Sequence, residues 1–186
     1  LDGLYSDRSG AWTYSVAGSI SRDRNRVDSV EQQDAFDTTG AHTFSNRTDR
    51  SEWYLNDTLG LTPTLKWKPS QTRVVSLDSF FRVRDTHAGT TDIRDLLLGA
   101  PPLYDSDDLH VKIDSMLWRN RLNWHEDLAN EASLDVKAGF TLNRRVSTSK
   151  FFEFDPSLVV LLDEDVHSTA IERSVSSSGK YRVPFI

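Results

Sequence analysis

Charged side chains recur at alternate positions in three segments of this chain: Asp78, Arg82 and Arg84, then Arg119 and Arg121, then Asp135 and Lys137. A spacing of two puts such residues on one face of an extended strand. Guanidinium groups gathered on one face form either an ion-pair ladder with neighbouring carboxylates or a cationic surface that attracts anionic ligands. A hairpin folded about a turn within residues 126–131 is expected to bring Arg121 opposite Asp135 on the same face, as the ladder requires. Arg82, Arg84 and Arg119 lie farther from that turn and are the candidates for anion capture. Tyr104 and His87, in adjoining polar sequence, are further ligand-binding candidates.

Other chemistry finds little support. The five histidines, at 42, 87, 110, 125 and 167, show no metal-ligand spacing and read as solvated loop residues. The carboxylate clusters Asp105-Ser106-Asp107-Asp108 and Asp163-Glu164-Asp165 lack the glycine-punctuated spacing of a calcium loop and also read as solvated. With no cysteine, there is neither a disulfide frame nor a thiolate site. No nucleophile elbow, phosphate-cradling loop or dinucleotide fingerprint occurs, so the chain reads as no enzyme and as binding no cofactor or metal. A net charge of -6 gives nucleic acid no purchase.

The elements that position the charged faces are strands. From Trp53 to Trp67 the residues Trp53, Leu55, Leu59, Leu61, Leu65 and Trp67 share one face, with Tyr54, Asn56, Thr58, Thr62, Thr64 and Lys66 on the other. The same period recurs in Trp12 to Ser21, Arg73 to Arg84, Met116 to His125, Ala132 to Leu142 and Thr169 to Phe185, and Leu1 to Tyr5 reads as the end of an earlier strand. Short turns near 6–10, 69–72 and 126–131 alternate with long polar segments near 22–52, 85–115 and 144–168, read as loops. The expected fold is therefore all-β: an antiparallel up-and-down meander of five or six strands, one segment over residues 1–186, forming part of a larger transmembrane β-barrel.

Mean hydropathy of -0.51 does not oppose a barrel, because one face of each strand meets a polar lumen. The ten steps from Ala132 to Leu142 give about 25 Å of height at a tilt near 40°, the height of a barrel's apolar band. Val16, Leu61, Leu65, Leu134, Val136 and Phe140 are the expected lipid-facing residues. Trp12, Tyr14, Trp67, Trp124 and Tyr181, with Phe185, fall beside short turns, where an aromatic belt would sit. Asp57 breaks the apolar face, and a band starting near Leu59 leaves it, with Trp53 and Leu55, beyond the membrane. Leu1 is not a methionine and Ile186 follows directly on a strand pattern, so the chain is expected to be cut from a longer one.

Gly10-Ala11-Trp12-Thr13-Tyr14-Ser15-Val16-Ala17-Gly18-Ser19 resembles an early barrel strand of TonB-dependent outer-membrane receptors. Leu61-Thr62-Pro63-Thr64-Leu65-Lys66-Trp67-Lys68-Pro69 and Arg173-Ser174-Val175-Ser176-Ser177-Ser178-Gly179-Lys180-Tyr181 are similar to that family's strand-turn pattern. The resemblance implies a bacterial outer-membrane location and a barrel of about 22 strands. It also implies a plug domain that contacts the TonB complex, and uptake of a small nutrient such as a ferric siderophore. No segment here reads as the plug or the TonB-contact box. Two other readings remain open on the residues alone: a soluble β-sandwich or adhesin-type binding module, and a passive porin-like channel.

Overall fold

The computed structural model describes residues 1–100 and 103–183. The strands are β1 Asp2–Ser9, β2 Trp12–Phe36, β3 His42–Trp67, β4 Arg73–Leu98, β5 Ser106–Asp127, β6 Ser133–Phe154 and β7 Val160–Arg182. All seven form one antiparallel sheet in sequence order, open between β1 and β7. The chain is thus the expected all-β up-and-down meander, with seven strands in place of five or six. Phe185 lies outside the described residues, as do Pro101 and Pro102 of the segment read as a loop at 85–115.

The three long loops are corrected by the structure. Residues 22–52 and 85–115 are mostly strand, and 144–168 largely so: β2 runs to Phe36 and β3 starts at His42, β4 runs to Leu98 and β5 starts at Ser106, and β6 runs to Phe154 and β7 starts at Val160. On β2 and β4 the extensions are largely polar at both parities and carry no apolar alternation. On β5, by contrast, Leu109, Val111 and Ile113 do alternate with His110, Lys112 and Asp114, on the face opposite the apolar band. The extensions are held by the backbone ladder and by cross-strand ion pairs such as Arg22 with Asp57 and Lys150 with Asp165. The turns themselves are side-chain built. Asp37 Oδ1 accepts from the backbone N–H of Thr39 and Ala41 at 2.8 and 2.9 Å, and Asp155 Oδ1 accepts from Ser157 and Val159, both at 2.8 Å. At the other end, the first turn sits at Gly10 and Ala11, with Gly10 at φ 58°, not at 6–10.

The β5–β6 hairpin corrects a second expectation. Arg121 faces Gly139 and Asp78, while Asp135 faces His125. The hairpin axis passes through Asn130, where Asn130 and Glu131 adopt left-handed φ of 59° and 60°. That shifts the pairing by four residues and preserves the face of each side chain.

Registers place the apolar residues in continuous rows. Trp12, Trp67, Val75, Trp124 and Val136 lie side by side across five strands, and the Trp12 and Trp67 rings stack with centroids 5.6 Å apart. Further along, Ile20, Leu59, Val83 and Met116 form the last apolar row. The next row on that face is charged: Arg22, Asp57, Asp85 and Asp114. Two polar residues inside the band, Ser79 and Asn120, face each other and hydrogen-bond, so neither is left unpaired. Pro63, which cannot donate a backbone hydrogen bond, coincides with a gap in the β3–β4 ladder.

Among the described residues no second layer covers this face. Among the described residues Ala132 is the only buried hydrophobic side chain, and Ile20, Leu59, Leu61, Leu65, Leu77, Val83 and Leu122 are 37–58% exposed. An apolar face this continuous requires an apolar partner, since fully covering one Leu or Val is worth about 1.5–3 kcal/mol.

Candidate functional site

The polar face is built by the same alternation, and its central feature is an arginine surface on β4, β5 and β6. Arg82 faces Gly60 and Leu117; Arg84 faces Thr58 and Ser115; Arg145 flanks the same Ser115 from β6. Arg119 faces Phe80 and Thr141, and Arg121 faces Asp78 and Gly139. Across three strands about 4.8 Å apart, and over four successive same-face positions, the five cations occupy roughly 10 by 20 Å. Arg84, Arg119, Arg121 and Arg145 are exposed and Arg82 is half-buried.

Among the described residues none of these five has a carboxylate within ion-pair distance. Asp78, directly opposite Arg121, instead accepts from Asn123 Nδ2 at 3.3 Å. The Arg82 guanidinium carbon lies 6.0 Å from the Phe80 ring centre. Arg119 and Arg121 line a depression of about 210 Å³ with Thr62, Asp78, Ser79 and Phe80. A cationic surface without internal counter-charges attracts anions, and guanidinium forks match carboxylates and phosphates. Arg145 escaped the sequence reading because it fell in a segment read as loop, and Arg121 because it was assigned to the ladder.

The other two ligand candidates lie elsewhere. His87 is on the opposite, outward face, 3.3 Å from Asp85. Tyr104 sits at the far end of the sheet, its ring 4.4 Å from the Arg94 guanidinium. Ten residue steps along β4 separate Arg94 from Arg84, about 33 Å. The five histidines also prove to be strand residues, and His42, His87, His110 and His125 each pair with an aspartate. Of the acidic clusters, Ser106–Asp108 opens β5 and Asp163–Asp165 lies within β7. Among the described residues no group of three or more potential ligands could hold a metal ion.

Arg94 belongs to a polar knot at the tip. Arg50 donates to both oxygens of Asp92 at 2.8 and 2.7 Å, and Arg94 donates to Asp107 at 2.6 Å. Asp92 is 3% exposed, and the hydrogen bonds from Arg50 hold its carboxyl below the ordinary range. A depressed carboxyl stabilises the fold above the ordinary aspartate pKa near 3.9 and loses that contribution as pH falls through the depressed value. The tip is therefore expected to keep constant protection from neutral pH to about pH 5 and to loosen below about pH 4, read by hydrogen exchange over Asp92–Leu98. Asp92→Asn is expected to destabilise the tip by about 2–3 kcal/mol already at neutral pH, the half-exposed Arg50 keeping the loss below that of a fully buried pair.

Comparison with protein-family profiles and with curated proteins finds no match to this chain.

Proposed function

We propose that the chain is a segment of a bacterial outer-membrane receptor barrel of the TonB-dependent kind, which captures a scarce anionic nutrient, a ferric siderophore foremost. The observation that carries this reading is the pairing of opposites on one sheet. A register-aligned apolar band, bordered at one end by a row that holds Trp12, Trp67 and Trp124, lies on one face, and an arginine surface without ion pairs among the described residues lies on the other. In this reading the band faces outer-membrane lipid and the arginines face the lumen. Strands of 22 to 26 residues outrun the band and carry the sheet out beyond the bilayer on the side away from the tryptophan row. The remaining strands, the plug and its contact with the TonB complex belong to polypeptide outside these residues. The protein's work is capture and transport, without catalysis.

The test uses the parent protein. Unheated samples in detergent are expected to migrate faster on a gel than boiled ones, as closed barrels do. Cells lacking the protein are expected to lose uptake of at least one ferric chelate under iron starvation. Mobility indifferent to heating would overturn the barrel, and unchanged uptake of every chelate tried would overturn the cargo.

A further inference from the structure

On the outward face of β2 the apolar run Trp12, Tyr14, Val16, Gly18 and Ile20 is followed at the same spacing by Arg22, Arg24 and Arg26. Their neighbours on β3 differ in kind. Arg22 donates to both oxygens of Asp57 at 2.6 and 2.7 Å and is neutralised there. Arg24 faces Leu55 and Arg26 faces Trp53, both apolar. Among the described residues Arg24 has no carboxylate within ion-pair distance, and Arg26 engages exposed Asp28 through Nε alone, at 3.1 Å. Arg22, Arg24, Arg26, Trp53 and Leu55 line a surface depression of about 480 Å³.

Resting on the membrane reading above, we propose that Arg24 and Arg26 bind the phosphate of an outer-leaflet lipid headgroup. Arg24 stands four residues beyond Ile20, about 10 Å higher at barrel tilt, and its long side chain reaches down into the headgroup layer. The two guanidinium groups rise from positions about 7 Å apart, so one phosphate can bridge them. Trp53 and Leu55 supply an apolar wall that a free anion has no use for and an acylated ligand does. Below the arginines, Val16 and Ile20 continue into the band along which acyl chains would lie. The site is confined to the β2 side. On β3, β4 and β5 the first row beyond the band is Asp57, Asp85 and Asp114, which repels phosphate. Charges of this kind near an anionic leaflet bind lipid electrostatically and weaken with salt.

The experiment reconstitutes the parent protein into phosphatidylcholine vesicles with and without a bis-phosphorylated, acylated glucosamine disaccharide, and measures how much of that glycolipid the protein retains by native mass spectrometry. The wild type is expected to retain the phosphorylated lipid at least tenfold over its dephosphorylated counterpart. R24E/R26E is expected to lose that preference while inserting and remaining heat-modifiable, and R24K/R26K to keep part of it. Insertion with unchanged lipid preference in R24E/R26E overturns this inference alone. Competition by inorganic phosphate at the lipid's own concentration also overturns it, leaving a free-anion site. Failure of the wild type to insert into any vesicle overturns the membrane reading beneath it.

Discussion

Arginine in place of Leu61 is expected to destabilise the bilayer-folded parent protein by about 2–4 kcal/mol, whereas arginine in place of Thr64 is expected to cost less than about 1 kcal/mol. The residues are three apart on β3 and so point to opposite faces. Leu61 sits mid-band between Gly18 and Phe81, on the face that the proposal puts in lipid. A guanidinium there must be dragged to the interface or buried without water. Thr64 faces Ser15 and Asp78 on the polar side. Arginine at 64 forfeits the Thr64–Ser15 hydroxyl hydrogen bond but gains a carboxylate neighbour in Asp78. Denaturant titration of refolding into vesicles, followed by tryptophan fluorescence, measures both costs. Equal costs at the two positions would remove the distinction between faces, and with it the membrane reading.

The contrast works because the lower half of the sheet was legible. From Trp12 to Ile20, Leu59 to Trp67, Val75 to Val83 and Met116 to Trp124, a period of two separates an apolar from a polar set. The pairing then keeps every one of those sets on a single face. Parity is robust to error in this way. A hairpin misjudged by an even number of residues, as at Arg121 and Asp135, still assigns the right face. The pairing partner itself depends on turn geometry, and only Asn130, a residue tolerant of left-handed backbone, hinted at the true axis.

Beyond the row of Arg22, Asp57, Asp85 and Asp114 the strands continue, but β2 and β4 turn largely polar at both parities. The apolar residues that remain fall on opposite faces, Leu55 and Trp53 outward and Leu109, Val111 and Ile113 inward, so no single apolar face marks the extension. His87 shows the consequence. Placed in a loop it has no face, whereas on β4 its parity sets it opposite to Arg82 and Arg84. Turn chemistry was the remaining clue. Asp37-Thr38-Thr39-Gly40 and Asp155-Pro156-Ser157 are compact turn sequences, and each implies strands on both sides. The tip knot of Arg50, Asp92, Arg94 and Asp107 was not legible at all, because its members come from three strands whose upper registers depend on those turns.

Replacing Arg84, Arg119 and Arg145 together by glutamine is expected to weaken capture of an anionic ferric chelate by the parent receptor at least a hundredfold. Hydrogen bonds to charged groups contribute about 1.5–3 kcal/mol each, so losing two of them corresponds to roughly 10² to 10⁴ in affinity. Binding by the wild type should fall steeply with salt, and the triple variant should lose most of that slope. A neutral ligand should be indifferent to the change. Stability separates capture from the competing role of these residues as a ladder. None of the three has a carboxylate partner within the described sheet, so relieving their mutual repulsion should leave the melting temperature unchanged or slightly higher. If the arginines instead anchor an acidic plug, the same variant would lose stability and gain passive permeability to small solutes, with affinity falling only as a consequence. Isothermal binding, thermal melts and liposome swelling on one triple variant therefore distinguish a surface that holds cargo from one that holds the protein's own interior.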